Sequence, residues 1–357
     1  MKKFKRKNNN HSIITALTEA QKLVFAPMAF QALAAMIDLG ILEFVDKSPV
    51  TEVEIIEKLN LDEYIVRTLL KIGLLNNLVF EKDKLYSLTQ MGKVFLYDEM
   101  TRVNFNYVKE ICYLGASELT KSFRTKRPEG LHKFVGDYPT IYPAITKLPE
   151  KMKQNWYGFD HFYSDNCFET VYQIITKKYK YIYDIGANTG EFEKLCLKHD
   201  ENIDIAMFDL DENIQKIKDD DELKKCKVYS LNVLDEKPNY PFMKNCAVLL
   251  SQFLDCFSKD SIKKILTDIK NNIDDNSAIY ILEPYTDKQK FEAAEYSLCH
   301  SSLYFTCMAN GVSKFYTFGE MKELIEDCGL DIAECTDGIG SYSYTLLECR
   351  KNAVVSD

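Results

Sequence analysis

Apolar residues recur at helical spacing through residues 12–42 of the chain. The stretch 25–36 is apolar on nearly every side, and Gly40 ends the predicted helix. A helix that is apolar all round has to be buried, either in its own core or against another subunit. The pattern therefore predicts one long N-terminal helix that takes part in dimerisation.

Two shorter helices and a hairpin follow. Residues 51–59 begin with a capping box, Asp62 caps a helix over 63–74, and short strands are predicted at 78–81 and 84–88. This order is typical of a winged helix. Arg67 and Lys71 on the second helix would suit DNA, but residues 45–98 hold nine acids against seven bases, a poor footprint for DNA. The pattern favours a dimerisation domain.

A strand, a tight turn and a helix come next. The apolar run 181–183 predicts a buried parallel strand, and residues 191–197 have helical spacing. Between them, Gly186 and Gly190 allow a sharp turn and a close approach to a ligand. This arrangement is the ligand-binding crevice of a doubly wound sheet.

The residues of the turn narrow the choice of ligand. Asn188 stands where a dinucleotide fingerprint needs glycine, and Asp184 would repel a pyrophosphate but suits a cation. The form Asp-x-Gly-x-x-x-Gly resembles the first motif of the class I methyltransferases that use S-adenosylmethionine. That ligand carries an ammonium and a sulfonium but no phosphate.

Further strands complete a mostly parallel, seven-stranded sheet. They are predicted at 203–208, 227–231, 247–250 and 278–282, with an antiparallel edge pair at 330–335 and 342–349.

Asp209, at the end of the second strand, can accept two hydrogen bonds from a ribose diol. Asn232 can pair with an adenine edge, with Val233 or Leu234 against the face of the ring.

The segment that precedes the crevice strand is helical and rich in aromatic residues at its end. Because this helix leads directly into the crevice, we expect some of its rings to face the ligand; the predicted substrate contacts are Trp156, Phe159, Tyr163 and Phe253. The predicted division is a disordered basic tail (1–11), a winged-helix dimerisation domain (12–101), a helical connector and pocket wall (102–175) and a cofactor-binding domain (176–357).

Composition excludes several classes of function. The net charge of −9 argues against a general affinity for nucleic acid, and no apolar run is long enough to cross a bilayer. The eleven cysteines form no C-x-x-C pair. We therefore expect a cytoplasmic protein with reduced core cysteines and no metal site.

The order of the motifs resembles one family across nearly the whole chain. It looks like the winged-helix-containing O-methyltransferases of plant natural products and bacterial polyketides; the matching segments are 74–79, 89–92, 184–190, 208–210, 232–234, 249–260, 281–284 and 317–321. The resemblance implies a homodimer, S-adenosylmethionine, a small aromatic or polyketide-like substrate, and cofactor contacts at Gly186, Asp209, Leu210, Asn232, Val233 and Ser251. The predicted cofactor set also includes Asp184, Asn188, Gly190 and Gln252.

The catalytic residue departs from the family. In the family, a histidine takes the proton from a phenol, and Asp255 stands at its position in this chain. A carboxylate that often flanks this histidine in the plant enzymes is replaced by Phe315. Asp255 can act as the base if burial and Glu283 raise its pKa; His300 is the other candidate.

Three functions stay open. The sequence predicts methyl transfer to a hydroxyl of a small aromatic or polyketide-like molecule. The first alternative is methylation at carbon, or a use of the sulfonium without methyl transfer. The second is a winged-helix regulator with a ligand-sensing domain.

Overall fold

The computed structural model describes residues 12–352, and the chain divides after Lys109 into two compact units. The predicted basic tail, residues 1–11, lies outside the described residues. The domain limits predicted from the sequence stay predictions.

The first unit consists of helices and one hairpin. The helices are α1 (Ile13–Val24), α2 (Ala26–Asp38), α3 (Ile41–Lys47), α4 (Glu52–Leu59), α5 (Glu63–Leu75), α6 (Gln90–Tyr97) and α7 (Glu99–Tyr107). The antiparallel strands β1 (Val79–Lys82) and β2 (Leu85–Leu88) form the hairpin. Helix, helix and hairpin thus follow in the predicted order, and the capping box at Thr51 is present. The assignment as a winged helix stays a prediction.

The prediction of one helix over residues 12–42 was wrong. The chain breaks at Phe25, where α1 and α2 meet at a bend of 57°. Pro27 sits in the first turn of α2, and its ring nitrogen cannot donate the hydrogen bond that would continue α1. Gly40, with φ of +72°, precedes α3 and does not close one long helix.

The apolar stretch of this region is only partly buried within its own unit. Ala32, Leu33 and Met36 lie in a core with α3, α5 and the hairpin, whereas Phe25 and Met28 stay 59% and 68% exposed. No helix of residues 12–352 has by itself the length and apolar character to cross a membrane; α1 and α2 pass that test only as a bent pair.

The second unit alternates strands and helices. Its strands are β3 (Tyr181–Ile185), β4 (Asp204–Asp209), β5 (Lys227–Ser230), β6 (Cys246–Ser251), β7 (Ala278–Glu283), β8 (Leu330–Ile339) and β9 (Tyr344–Lys351). Its helices are α8 (Leu119–Thr125), α9 (Glu129–Phe134), α10 (Glu150–Ile175), α11 (Glu191–His199), α12 (Asp211–Lys218), α13 (Lys259–Asn272), α14 (Glu292–Tyr304) and α15 (Phe318–Asp327). Helix α14 begins at Glu292 and passes into a π-helical turn at Phe305.

Seven strands form one sheet in the order β5-β4-β3-β6-β7-β9-β8. Strands β3 to β7 run parallel, and β9 pairs antiparallel with both β7 and β8. The predicted fold class is confirmed. Strand order reverses beside β3, whose neighbours are β4 and β6, and ligands of open parallel sheets bind at the carboxyl ends of the strands at such a point.

Alternate side chains of β3 enter two separate cores. Tyr183 and Ile185 face the core that also holds residues of α13 and α15. Ile182 belongs to the opposite core, with residues of α10, α11 and α12. Because side chains alternate along a strand, Asp184 shares the side of Ile182 and points towards α11.

Candidate ligand site at the carboxyl ends of the strands

The turn between β3 and α11 forms the floor of the site. Gly186, Asn188 and Gly190 all have positive φ, of +86°, +53° and +79°. A Cβ atom on Gly186 would overlap the ring of Phe253, so glycine is required there both by the backbone and by the neighbouring loop. The backbone N–H of Gly186 donates to the carbonyl of Phe208 at 2.8 Å, which ties the turn to β4.

Asp209 lies at the end of β4 and organises its surroundings. Its carboxylate accepts hydrogen bonds from the backbone N–H groups of Asn188 (2.8 Å) and Leu210 (2.7 Å) and from the side chain of Asn213 (2.9 Å). Burial raises the pKa of Asp209, while these three bonds oppose the shift. A carboxylate offers about four acceptor sites, so Asp209 keeps room for a further donor.

Two hydrogen bonds join the turn to helix α10. The amide Nδ2 of Asn188 donates to Oδ2 of Asp160 at 2.8 Å. The hydroxyl of Thr189 lies 3.2 Å from Nε2 of His161, whose Nδ1 lies 3.3 Å from Asp165. Consecutive residues of the turn therefore contact consecutive residues of the helix.

Beneath the turn, Asp184 and Glu193 form a buried pair of carboxyls. Burial raises the pKa of both groups, and the charge of Asp184 raises that of Glu193 further. Oδ1 of Asp184 and both oxygens of Glu193 find no donor within residues 12–352. Since two carboxylates would only repel each other, one shared proton supplies the donor that the pair lacks.

The loop after β6 brings two predicted cofactor residues to the same edge of the sheet. The Oγ atom of Ser251 is buried and has no partner in the part of the chain that is described. Gln252 has a φ of +47°, and its Oε1 accepts a hydrogen bond of 2.6 Å from the hydroxyl of Tyr344 on β9. Ser251 thus offers a free polar atom at the edge, whereas Gln252 already has a partner.

The loop after β5 holds Asn232 and Val233. Val233 is buried, while Asn232 is exposed and bonded within its own loop: its Nδ2 donates to Asp235 at 2.9 Å and its Oδ1 accepts from the N–H of Leu234 at 3.1 Å. The edge of an adenine ring would therefore have to compete with these local hydrogen bonds for the side chain of Asn232.

Asp255 and Glu283 meet at the ends of β6 and β7. Oε1 of Glu283 accepts the backbone N–H groups of Phe253 (3.1 Å) and Leu254 (2.9 Å), which holds the short 3-10 turn Leu254–Cys256 in place. Oε2 of Glu283 has no donor among the described residues. Burial, followed by the charge of Asp255, raises the pKa of Glu283.

Asp255 is 5% exposed, and burial raises its pKa to about 7. The charge of Asp160 contributes to this shift, whereas a hydrogen bond of 3.3 Å from the Cys256 thiol opposes it. A carboxyl that titrates near neutrality can accept a proton from a bound molecule at physiological pH.

Most of the predicted substrate residues lie on α10. Trp156 Nε1–H donates to the hydroxyl of Tyr304 at 2.7 Å, and Phe159 packs on Tyr163 with ring centres 5.0 Å apart. Phe253, on the loop after β6, packs against Phe257 at 4.9 Å. Trp156, Asp160 and Tyr163 follow one another at about one helical turn. The rings of Trp156 and Tyr163 and the carboxyl of Asp160 therefore lie on one side of α10.

His300 does not share the buried environment of Asp255. It lies exposed on α14, with its ring 3.9 Å from that of Tyr296 and its Nδ1 2.8 Å from the carbonyl of the same residue. The structure therefore gives His300 local partners on its own helix.

Sequence reasoning missed several polar residues of the site. The missed residues are Asp160, His161, Thr189, Glu193 and Tyr344. A carboxylate beside the predicted aromatic contact Phe159 was a usable signal for Asp160, because an acid within an aromatic stretch needs a partner. Among residues 12–352, no group of three or more His, Cys, Asp or Glu side chains is arranged to hold a metal ion.

Comparisons with known proteins agree with this architecture. Residues 21–98 match the family model of the O-methyltransferase dimerisation domain. One similar solved structure is the mitomycin 7-O-methyltransferase MmcR, with a TM-score of 0.71 and 15% identity over 95% of this chain and 98% of that one. Another is the S-adenosylmethionine-dependent methyltransferase SibL, with a TM-score of 0.69 and 16% identity over 94% of this chain and 99% of that one. Human N-acetylserotonin methyltransferase in complex with S-adenosylmethionine is also similar, with a TM-score of 0.63 and 15% identity over 96% of this chain and 99% of that one.

The chain has the class I methyltransferase fold. Each of these structures is matched over nearly its whole length, including the helical N-terminal part and the seven-stranded sheet. No curated protein sequence matches the chain significantly.

Proposed function

We propose that the protein transfers a methyl group from S-adenosylmethionine to a hydroxyl of a small aromatic or polyketide-like molecule. The observation that carries this proposal is the buried Asp255, whose pKa lies near 7 at the ligand edge of a methyltransferase sheet. A phenol has a pKa near 10, so its methylation at neutral pH benefits from a base placed beside it.

The residues present fit the proposed cofactor. The edge of the sheet offers the carboxylate of Asp209 and the unpartnered Oγ of Ser251, together with a glycine turn that admits close approach, whereas Asp184 lies beneath the turn with Glu193. Carboxylates suit a ligand with an ammonium and a sulfonium, and several solved structures of this fold contain S-adenosylmethionine or its demethylated product. When bound, the cofactor supplies an electrophilic methyl group.

We assign the remaining predicted roles within this function. Asp255 takes the proton of the acceptor, and Glu283 holds the loop that carries Asp255. Trp156, Phe159, Tyr163 and Phe253 contact the aromatic acceptor. The first unit makes a homodimer, which the match to a dimerisation domain supports, and the protein works in the cytoplasm.

Methylation at carbon is the second candidate, because the family histidine that deprotonates a phenol is absent at position 255. The two reactions differ in the product and can be distinguished directly. The purified protein is incubated with S-adenosylmethionine and a panel of phenols, and products are analysed by mass spectrometry and carbon NMR. A methoxy signal supports transfer to oxygen, a ring methyl supports transfer to carbon, and no binding of the cofactor by calorimetry contradicts both.

A further inference from the structure

Helix α10 holds a carboxyl against the glycine turn at the ligand edge of the sheet. Oδ2 of Asp160 accepts a hydrogen bond of 2.8 Å from Nδ2 of Asn188, in the middle of that turn. The next residue of the helix, His161, places its Nε2 3.2 Å from the hydroxyl of Thr189, the next residue of the turn. Two adjacent contacts therefore fix the position of the Asp160 carboxyl relative to the turn.

The carboxyl of Asp160 keeps acceptor capacity that its surroundings do not use. Its Oδ1 accepts no hydrogen bond from the residues described, although a carboxylate has about four acceptor positions. Within residues 12–352 it forms no ion pair with a Lys, Arg or His side chain, because His161 turns its Nδ1 towards Asp165, at 3.3 Å. A half-buried carboxylate that lacks a cation of the protein's own is suited to a cationic ligand.

Asp160 is ionised at the pH where such a ligand would bind. Burial raises the pKa of Asp160 to about 6, so the group carries its charge for most of the time at pH 7.5. An ionised carboxylate accepts stronger hydrogen bonds from an ammonium than a neutral acceptor does.

The other acids near the turn are less suited to this task. Asp184 is buried under the turn, and Glu191 pairs with a lysine of its own helix at 2.9 Å. Asp209 already accepts three hydrogen bonds from its surroundings, and the proposed function uses its remaining capacity for a ribose diol. Asp160 is thus an acid that contacts the turn and has a whole oxygen without a donor from the protein.

Asn188 connects Asp160 with Asp209. Its backbone N–H donates to Asp209 and its side chain donates to Asp160, each at 2.8 Å. S-adenosylmethionine carries hydrogen-bond donors in two separate parts, the ribose diol and the ammonium of its amino-acid chain. Two carboxylates that one residue holds on its backbone side and on its side-chain side match these two parts.

We propose that Asp160 binds the ammonium group of the amino-acid end of S-adenosylmethionine through its Oδ1. This inference rests on the proposed methyl transfer and deepens it, because it names the residue that recognises the amino-acid part of the methyl donor. Asp160 thereby distinguishes the complete cofactor from adenosine thioethers that lack the ammonium.

The first test changes the ligand and leaves the protein as it is. Calorimetry at pH 7.5 compares the binding of S-adenosylhomocysteine with that of its deamino analogue, in which hydrogen replaces the ammonium. We expect the analogue to bind the wild type about tenfold more weakly, as for the loss of one hydrogen bond to a charged group. Equal affinities of the two ligands would overturn the proposal, and no variant has to fold for this comparison.

The second test uses Asp160→Asn in the full-length protein. The amide keeps an oxygen that can accept from Asn188 but carries no charge. We expect S-adenosylhomocysteine to bind about tenfold more weakly than to the wild type, whereas the deamino analogue should bind no more weakly. Equal weakening of both ligands would show that Asp160 only supports the turn, and unchanged binding of both would show that it does not contact the ligand. Either result would overturn the proposal.

The control variant is Glu169→Gln. Glu169 lies on the same helix, where it pairs with His199 at 2.8 Å, and its side chain is 48% exposed. Its substitution removes the same charge from α10 and should leave both affinities unchanged. Failure of the wild type to bind S-adenosylhomocysteine at all would instead refute the proposed function.

Discussion

Asn188 and Asp160 are joined by a hydrogen bond of 2.8 Å between an amide and a carboxylate that lie 28 positions apart in the chain. The backbone N–H of the same Asn188 donates to Asp209 at 2.8 Å. One residue of the glycine turn therefore links the carboxylate at the end of β4 with the carboxyl on α10. Through this residue, the proposed cofactor edge and the proposed acceptor edge become a single hydrogen-bonded assembly.

The base can be identified by comparing two variants. Asp255→Asn should lower kcat by about 10²- to 10⁴-fold, the usual contribution of a general base, with cofactor affinity unchanged. His300→Gln should retain activity, because His300 lies exposed with its partner on its own helix. The opposite ranking of the two variants would assign the base to His300.

The pH dependence of the wild type follows from the same group. Asp255 must be ionised to accept a proton, and its pKa is about 7, so kcat should rise with pH through that value. A profile that is flat between pH 6 and 8 would contradict a role for Asp255. The measurement is a steady-state rate series in buffers of constant ionic strength.

Asp209 should dominate the affinity for the cofactor. Asp209→Ala removes an acceptor at the end of β4 and should weaken binding of S-adenosylhomocysteine by about 1.5–3 kcal/mol, as for a hydrogen bond to a charged group. Asp211→Ala, two positions further in the first turn of α12, is the matched control. Calorimetry that gives equal affinities for the two variants would remove Asp209 from the site.

The glycine turn can be tested with two glycines of similar backbone conformation. Gly186 and Gly338 have φ of +86° and +74°, but only at Gly186 would a Cβ atom meet other atoms, those of the Phe253 ring. Alanine at either position should cost about 1–2 kcal/mol of folding stability for the left-handed backbone. Only Gly186→Ala should also weaken binding of S-adenosylhomocysteine, by more than about tenfold. Equal binding by both variants would show that the turn is not part of the ligand site.

The exposed apolar side of α1 should be covered by a second copy of the chain. Leu23 and Val24 are 76% and 66% exposed, and the region from residue 21 belongs to the matched dimerisation domain. Leu23→Glu should shift the protein towards a monomer in light scattering at micromolar concentration, because a charge would be buried in the interface. Gln21→Glu adds the same charge on the same helix and is the control. A monomeric wild type would refute the dimer.

The buried carboxyls under the turn should make stability depend on pH. The folded pKa of Asp184 is raised from 3.8 to about 7, so the pair binds protons more tightly in the folded chain. Its contribution is therefore complete below pH 4 and is lost as the pH rises towards 7 and above. Glu193→Gln supplies a donor without a charge and should make the chain about 1–3 kcal/mol more stable than the wild type at pH 8, with a smaller difference at pH 5.

The control for this effect is Glu191→Gln. Glu191 pairs with Lys194 at 2.9 Å in the same helix turn but is not buried with Asp184. Thermal unfolding of the three proteins at pH 5 and pH 8 gives the comparison. The same slope of stability with pH in Glu193→Gln and in the wild type would show that the pair shares no proton.

The sequence by itself determined the local elements and their order. Alternation and apolar runs depend only on neighbouring residues, so β3, its glycine turn and α11 could be located from residues 181–197, and the capping box at Thr51 from four residues. The acids and amides at strand ends marked the edge of the sheet for the same reason. Pro27 was the local signal that should have divided the N-terminal helix.

The tertiary structure alone decided which of these residues meet. Asp160 reaches Asn188 only because α10 packs beside the turn, and Glu283 accepts from the backbone N–H of Leu254 only because β7 lies next to β6 in the sheet. Hydrogen bonds and charge interactions act over a few ångströms in space, whereas sequence patterns report only distances along the chain. The burial that moves the pKa of Asp255 towards neutrality is a property of the assembled sheet, and no residue type in the sequence specifies it.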